Sequence, residues 1–185
     1  MAGIEDEPER PEPRLSAPVP LTAEHDLSAF DCGEPALNEW LRHRALKNES
    51  RFSRTYVLCE DKRVVAYFCV SAGAVERAAA PGKVRRNAPD TVPVSVIGRL
   101  AVSRDHAGKG LGANMLSDAL RRIAVASQSI GIGAVLVHAK DDAAKRFYMK
   151  CAEFIEYPTD SRTLFLSIET VVAAFSGDHD PGGQW

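Results

Sequence analysis

The segment Gly98-Arg99-Leu100-Ala101-Val102-Ser103-Arg104-Asp105-His106-Ala107-Gly108-Lys109-Gly110-Leu111-Gly112 carries the densest chemistry in the chain. Three glycines at alternate positions lie between an apolar run and the start of a helical pattern. Glycine lets a backbone turn through positive φ and come close to a ligand. The first N–H groups of a helix have no partner inside it and point outward at its positive dipole end. Such a turn suits a pyrophosphate, and Arg104, His106 and Lys109 add positive charge beside it.

Four readings of this turn compete. A nucleoside-triphosphate P-loop needs G-x-x-x-x-G-K-[ST], and the chain contains no such string. Gly108-x-Gly110-x-x-Ala113 does fit the dinucleotide pattern G-x-G-x-x-[GA]. That pattern also asks for an acid about 20 residues on, and Ser127 to Gly133 contains none. The third reading is a tight loop whose glycines only turn the chain. The fourth is a coenzyme A site.

The fourth reading is the one the motif resembles. Gly98 to Val102 followed by Gly108-Lys109-Gly110-Leu111-Gly112-Ala113 is similar to the acyl-CoA signature of the GNAT N-acetyltransferases, [QR]-x-x-G-x-[GA]. Gly110 and Gly112 take its glycine positions, and its polar first position falls on Ala107. The resemblance implies acetyl-CoA as cofactor. It implies a binding set of Leu100, Ala101, Val102, Ala107, Gly108, Lys109, Gly110, Leu111, Gly112, Ala113 and Phe147.

Downstream, Ala144-Lys145-Arg146-Phe147-Tyr148-Met149-Lys150-Cys151-Ala152-Glu153-Phe154 resembles the family's A-x-x-F-Y-x-x-x-G-F segment. Cys151 or Ala152 stands where a glycine is common, and Asp141 where many relatives have Asn. In the family this tyrosine is the general acid, which implies that role for Tyr148. A phenol with a pKa of about 10 can hand a proton to a departing thiolate. Taken alone, Tyr148 also reads as a helix aromatic packing on a sheet. No general base stands out.

Longer segments are similar to the GNAT toxins of bacterial toxin–antitoxin pairs, which acetylate the amino group of aminoacyl-tRNA and stop translation. They are His25 to Gly33 with Leu37-x-x-Trp40-Leu41, Ser53-Arg54-Thr55-Tyr56-Val57, Pro93 to Val102, and Tyr157 to Leu164. This resemblance implies an aminoacyl-tRNA substrate, a cognate ribbon-helix-helix-type antitoxin, a homodimer, and contact with DNA only through the antitoxin. Arg42, Lys47, Arg85, Arg86 and Arg99 are the candidate tRNA contacts among several basic clusters. Phosphate contacts of this kind make binding salt-dependent. Each cluster also reads as an ordinary solvated face. Two other functions share the core motifs: acetylation of a small amine or a protein N-terminus, and a non-catalytic acyl-CoA-binding module.

The elements that must position these residues alternate in type. Asp31-Cys32-Gly33-Glu34-Pro35 is a helix start with proline in the first turn, followed by Leu37, Trp40, Leu41, Ala45 and Leu46 at helical spacing. Arg54 to Glu60 and Arg63 to Ala74 read as two strands joined at Glu60 to Arg63. Ala78 to Pro93 is loop-like. Val94 to Val102 is the clearest strand, and Gly112 to Ser129 a helix. Ala134 to Ala139 is a short buried strand, Asp142 to Cys151 a helix, and Glu153 to Tyr157 and Thr163 to Ile168 two closing strands. This interleaving predicts a layered α/β (α+β) fold, and the resemblance implies a GNAT-like mixed central sheet flanked by helices. It forms a single three-layer domain over 21–175. Residues 1–20 read as a disordered lead-in and 176–185 as a flexible tail.

Bulk properties agree with this. The chain has 185 residues, 45% of them apolar and 26% charged, which is the profile of one globular domain. The net charge of −2 hides an asymmetry. Residues 1–13 carry −4 and the last ten −2, so 14–175 carry +4, a balance that permits an anionic ligand. The four cysteines show neither C-x-x-C pairing nor zinc spacing, so they read as reduced thiols and no metal site is expected. No apolar run reaches the ~18 residues of a membrane span. The amino terminus has no leader pattern, so the expected address is cytoplasmic.

Overall fold

The structure is a computed structural model that describes residues 14–176. The order of elements is β1 (Val19–Pro20), α1 (Pro35–His43), α2 (Ala45–Asn48), β2 (Arg54–Glu60), β3 (Arg63–Glu76), α3 (Gly82–Arg85), β4 (Thr91–Val102), α4 (Leu111–Ala126), β5 (Ala134–His138), α5 (Asp142–Cys151), β6 (Ile155–Tyr157), β7 (Asp160–Ser167) and α6 (Ile168–Ser176). The strands form one seven-stranded sheet in the order β1-β2-β3-β4-β5-β7-β6. Among the strands of the described residues, β4 and β5 are the one parallel neighbouring pair, so the sheet is mixed as expected. No helix among the described residues is long and apolar enough to cross a membrane.

Apolar residues are sorted onto the two sheet faces by strand periodicity. On one face Val65, Phe68, Ile97, Val135, Val137 and Leu164 meet Met115, Leu116, Ala119 and Ile123 of α4, with α5 and α6 alongside. On the other, Val57, Val64 and Tyr67 meet Phe30, Leu41 and Ala45 around α1 and α2. Further along that second face, Val94, Leu136 and Phe165 meet Ala80 and Val84 of the α3 region. Three layers result.

Several boundaries differ from expectation, each for a tertiary reason. Of the segment 1–20, residues 1–13 lie outside the described residues, as do 177–185. Residues 14–20 are ordered along β2 and do not belong to a tail. Val19 and Pro20 pair with Val57 and Tyr56, Ser16 donates its N–H to Cys59 O at 2.8 Å, and Arg122 Nη2 donates to Pro18 O at 2.9 Å. Prolines are compatible with an edge strand because one side of the strand needs no donors. The apolar stripe of the first helix is split at Arg44, which leaves Leu46 41% exposed. Part of the expected loop before β4 forms α3, and β4 starts three residues earlier than its apolar run suggests. Ile168–Ser176, rich in β-branched residues, is helical because Val171 packs into the core shared with α4.

Candidate active site

β4 and β5 part company at one defined place. Their ladder runs from Val94↔Ala134 to Ile97↔Val137 and stops. β4 then continues against β3 as far as Val102↔Ala66. β5 stays with β7, where His138 pairs with Thr163 and Ala139 N–H donates to Arg162 O at 2.8 Å. Gly98 to Val102 therefore keep one backbone edge with no strand partner. At the point of parting the β3/β4 register slips between Cys69 and Val70, so Gly98 is left over as a bulge. A Cβ there would lie 3.3 Å from Cys69 Sγ. A bulge re-aims the chain, and this one lies where the β4/β5 ladder ends.

The glycine turn lies beside the opening. Gly108 and Gly110 have φ of +77° and +80°, where an L side chain is strained, and Gly110 caps α4. No side chain caps that helix. The amides of its first turn have no intrahelical acceptors. Ala107, Gly108, Lys109 and Gly110 are all exposed. Lys109 has no ion-pair partner among the described residues. Gly112 differs from the other two: its Cβ would meet Phe147 Cε2 at 3.4 Å and Val102 Cγ2 at 3.8 Å, ordinary contact distances. The first turn of α4 thus sits against Phe147 of α5 and Val102 of β4. The turn is braced from behind by Arg104, which hydrogen-bonds Asp31. Amides and side chains of Gly33, Arg104 and Asn38 hold the Asp31 carboxyl down at about 2, with Gly33 the largest cause.

Tyr148 reaches the opening from α5. Asp141 starts that helix by accepting Ala144 N–H at 2.8 Å. The Tyr148 ring makes edge contacts with Phe147 and Phe154, with centroids at 5.2 and 5.7 Å. Its hydroxyl has no hydrogen-bond partner among the described residues. Burial pushes the phenol up to about 12, and the thiols of Cys69 and Cys151 add to the effect. Cys69 is the residue facing Gly98, so the phenol and the bulge share one neighbourhood.

The opposite face of the opening is built from α1, β3 and β4. Arg99 lies over Trp40 with its Cζ 4.2 Å from the ring centroid. Trp40 stacks on Tyr67, and the Tyr67 hydroxyl donates to Leu37 O at 2.9 Å. Lys140, just beyond β5, contacts Glu34 at 3.2 Å and so ties the β5 exit to the start of α1.

The expected site residues divide into two groups. The structure brings Leu100, Ala101, Val102, the 107–113 turn, Phe147 and Tyr148 together around the opening. The candidate tRNA contacts are dispersed. Arg99 is half-buried against Trp40. Arg42 is committed inward, donating to Phe30 O at 2.5 Å and pairing with Glu39 at 3.4 Å. Lys47, Arg85 and Arg86 are exposed and have no ion-pair partner among the described residues. Lys145, which neighbours Tyr148 in sequence, is neutralised by Glu156 at 2.6 Å. One polar cluster at the opening carried no sequence signal: His138, Thr163 and Asp160, from two strands. No group of His, Cys, Asp or Glu among the described residues could hold a metal.

Comparison with known proteins agrees with this geometry. The profile of the acetyltransferase (GNAT) family matches residues 20–154. A tRNA-acetylating toxin of Mycobacterium tuberculosis is 46% identical over 152 residues, covering 82% of this chain and 91% of that protein. AtaT complexed with acetyl-methionyl-tRNAfMet superposes with a TM-score of 0.80 at 30% identity, covering 88% of this chain and 99% of that one. A mutant AtaT toxin bound to the C-terminus of the antitoxin AtaR and acetyl-CoA has a TM-score of 0.76 at 29% identity, with coverage of 88% and 99%.

Proposed function

We infer, for a chain that belongs to the GNAT acetyltransferase family, that it transfers an acetyl group from acetyl-CoA to the α-amino group of aminoacyl-tRNA and thereby blocks translation. The observation that carries this reading is the 46% identity to a tRNA-acetylating toxin across 91% of that toxin's length. The geometry supports it. An uncapped helix start and an unpaired β4 edge lie on one side of an opening that a buried phenol reaches from α5.

The residues present fit the cofactor. The amides of 108–113 and the Lys109 ammonium would hold its diphosphate, as anions are held at helix N-termini. The free backbone edge of Leu100, Ala101 and Val102 offers donors and acceptors to an extended amide chain. Phe147 and Val102 close the apolar floor beneath Gly112. Bound acetyl-CoA supplies an acetyl group on a thioester sulfur. Tyr148 holds its proton at any physiological pH and donates it toward that sulfur. The dry surroundings that raise the phenol disfavour a bare thiolate for the same reason, so the proton has somewhere to go.

The exposed cations suit a large polyanion. Arg85, Arg86 and Lys47 extend the positive surface of the 14–175 region and face solvent without partners among the described residues. Charged tRNA places the reaction in the cytoplasm. The AtaT complex with AtaR supports a peptide-bearing antitoxin as partner. A ribbon-helix-helix antitoxin, DNA contact through it and a homodimer complete the proposal.

Incubation with labelled acetyl-CoA and charged total tRNA, followed by nuclease digestion and mass spectrometry, should reveal N-acetyl-aminoacyl-adenosine. Arg85→Glu with Arg86→Glu should slow that reaction about tenfold, as loss of phosphate contacts does. The same variant should acetylate a free amine at the parent rate. No acetylated aminoacyl product, or equal loss on both substrates, overturns the assignment.

A further inference from the structure

His138 is the first residue of β5 past the last β4 pair, Ile97↔Val137. Register places it level with the Gly98 bulge. It shares a sheet face with Leu136, which packs toward α3, while Tyr148 belongs to the core on the opposite face. Imidazole and phenol therefore approach one opening from opposite sides. His138 also lines a groove of about 320 Å³ on its own face, together with Gly73, Val75, Val96 and Tyr157.

A relay decides which nitrogen carries the proton. The Thr163 hydroxyl donates to Asp160 Oδ2 at 2.6 Å. Its one hydrogen is used there, so its contact with His138 Nδ1 at 2.9 Å must be one in which Thr163 Oγ1 accepts. Nδ1 then holds the proton of the neutral ring, and Nε2 presents a lone pair. Nε2 has no partner among the described residues, and the side chain is exposed. The Asp160 carboxyl stays ionised: hydrogen bonds from the Thr163 hydroxyl and the Arg162 amide hold it below the usual carboxylate range. This is the arrangement in which a carboxylate orients a histidine through a hydroxyl.

We propose that His138 Nε2 is the general base of acetyl transfer, taking the proton that the attacking amine must lose, with Thr163 and Asp160 as positioning residues. The proposal rests on the reading of the protein as an amine acetyltransferase. The amine nitrogen forms its bond to the acetyl carbon and the carbon–sulfur bond breaks. One amine proton passes to Nε2, and the Tyr148 proton passes to sulfur. His138 then returns its proton to water, and Tyr148 regains one from water. The charged and titratable groups beside His138 are Asp160 of β7, whose carboxyl feels the His138 charge, and Tyr157 of β6, which lines the same groove; Arg162, Lys140 and Asp141 flank the cluster along the chain. Cys69 and Arg99 pair with each other in the β3/β4 ladder next to the bulge. Lys140 is paired with Glu34 and Asp141, and Arg162 Nη2 with Asp142 at 3.5 Å.

The test is kcat/KM for aminoacyl-tRNA by rapid quench from pH 6 to 8.5. His138→Ala should be slower by about 100-fold at the acid end. That deficit should shrink about tenfold by the alkaline end, where the amine loses its proton unaided. His138→Asn can keep the hydrogen bond to Thr163, its amide nitrogen standing in for Nδ1, but cannot take a proton, and it should show the same profile. Thr163→Val should lower kcat with little change in KM. Without substrates, long-range proton–nitrogen spectra of the parent at pH 8 should show the Nδ1–H tautomer of His138, and Thr163→Val should lose it. A pH-independent deficit, turnover equal to the parent, or an Nε2–H tautomer overturns the base assignment while the acetyltransferase reading stands. A parent that acetylates no amine overturns that reading and this one with it.

Discussion

The two sides of the β4/β5 opening are made from different material. One side is backbone: the edge of Gly98 to Val102 and the amides of a turn whose glycines take left-handed angles. The other is side chains: Arg99 on Trp40 on Tyr67, and His138 on Thr163 on Asp160. The backbone side is contiguous and depends on φ, so it tolerates most side chains except where glycine is required. The side-chain side is assembled from residues far apart in the chain and depends on strand register. Tyr148 spans the two, and its removal should have the largest effect. Tyr148→Phe should lower acetyl transfer by about 100-fold or more with the acetyl-CoA dissociation constant within about twofold. The ring keeps its packing on Phe147 and Phe154, and the lost hydroxyl had no partner among the described residues. Label transfer and calorimetry measure the two quantities. Turnover equal to the parent breaks the assignment.

A smaller effect separates the glycines of the backbone side. Gly110→Ala forces an L residue to φ +80° and should cost about 1 kcal/mol of stability. Gly112→Ala adds a methyl at ordinary contact with Phe147 and should cost less than about 0.5 kcal/mol. Urea unfolding of the two variants measures the difference. Equal losses would show that backbone conformation is not what sets this turn.

The smallest effect is in alkali. The folded protein holds the Tyr148 proton up to about 12, and burial also raises the Tyr67 phenol. Unfolded tyrosine releases its proton near 10. The unfolded state thus binds fewer protons above that pH, so stability is complete below about pH 10 and falls as the pH rises toward the folded value. Tyr148→Phe should make this decline shallower, as read by urea midpoints between about pH 9 and about pH 11.5. An unchanged slope would mean that the phenol is not buried in solution.

Much of the frame was legible because its causes are local. β2 and α5 fall on their sequence patterns residue for residue. Pro35 starts α1, and the glycine turn lies where its spacing puts it. Residues 14–20 were not legible, because a proline-rich stretch has no apolar period, and Val19–Pro20 becomes a strand only when β2 offers an edge. α6 was hidden for the related reason that Ile168, Thr170, Val171 and Val172 favour strands and are helical through their contact with α4. Arg42 reads as a surface cation in a basic cluster, but the carbonyl of Phe30 claims it.

The amino-acid sequence by itself determined the alternation of elements, the turn that needs positive φ at Gly108 and Gly110, and the helix that carries Phe147 and Tyr148. Each follows from periodicity or backbone sterics within a few residues. Only the tertiary structure decided where β4 leaves β5, which cations remain in solvent, and that His138 meets Thr163 and Asp160. Those depend on strand register and on pairing between distant segments. A hydrogen bond across two strands exists only once the sheet has aligned them.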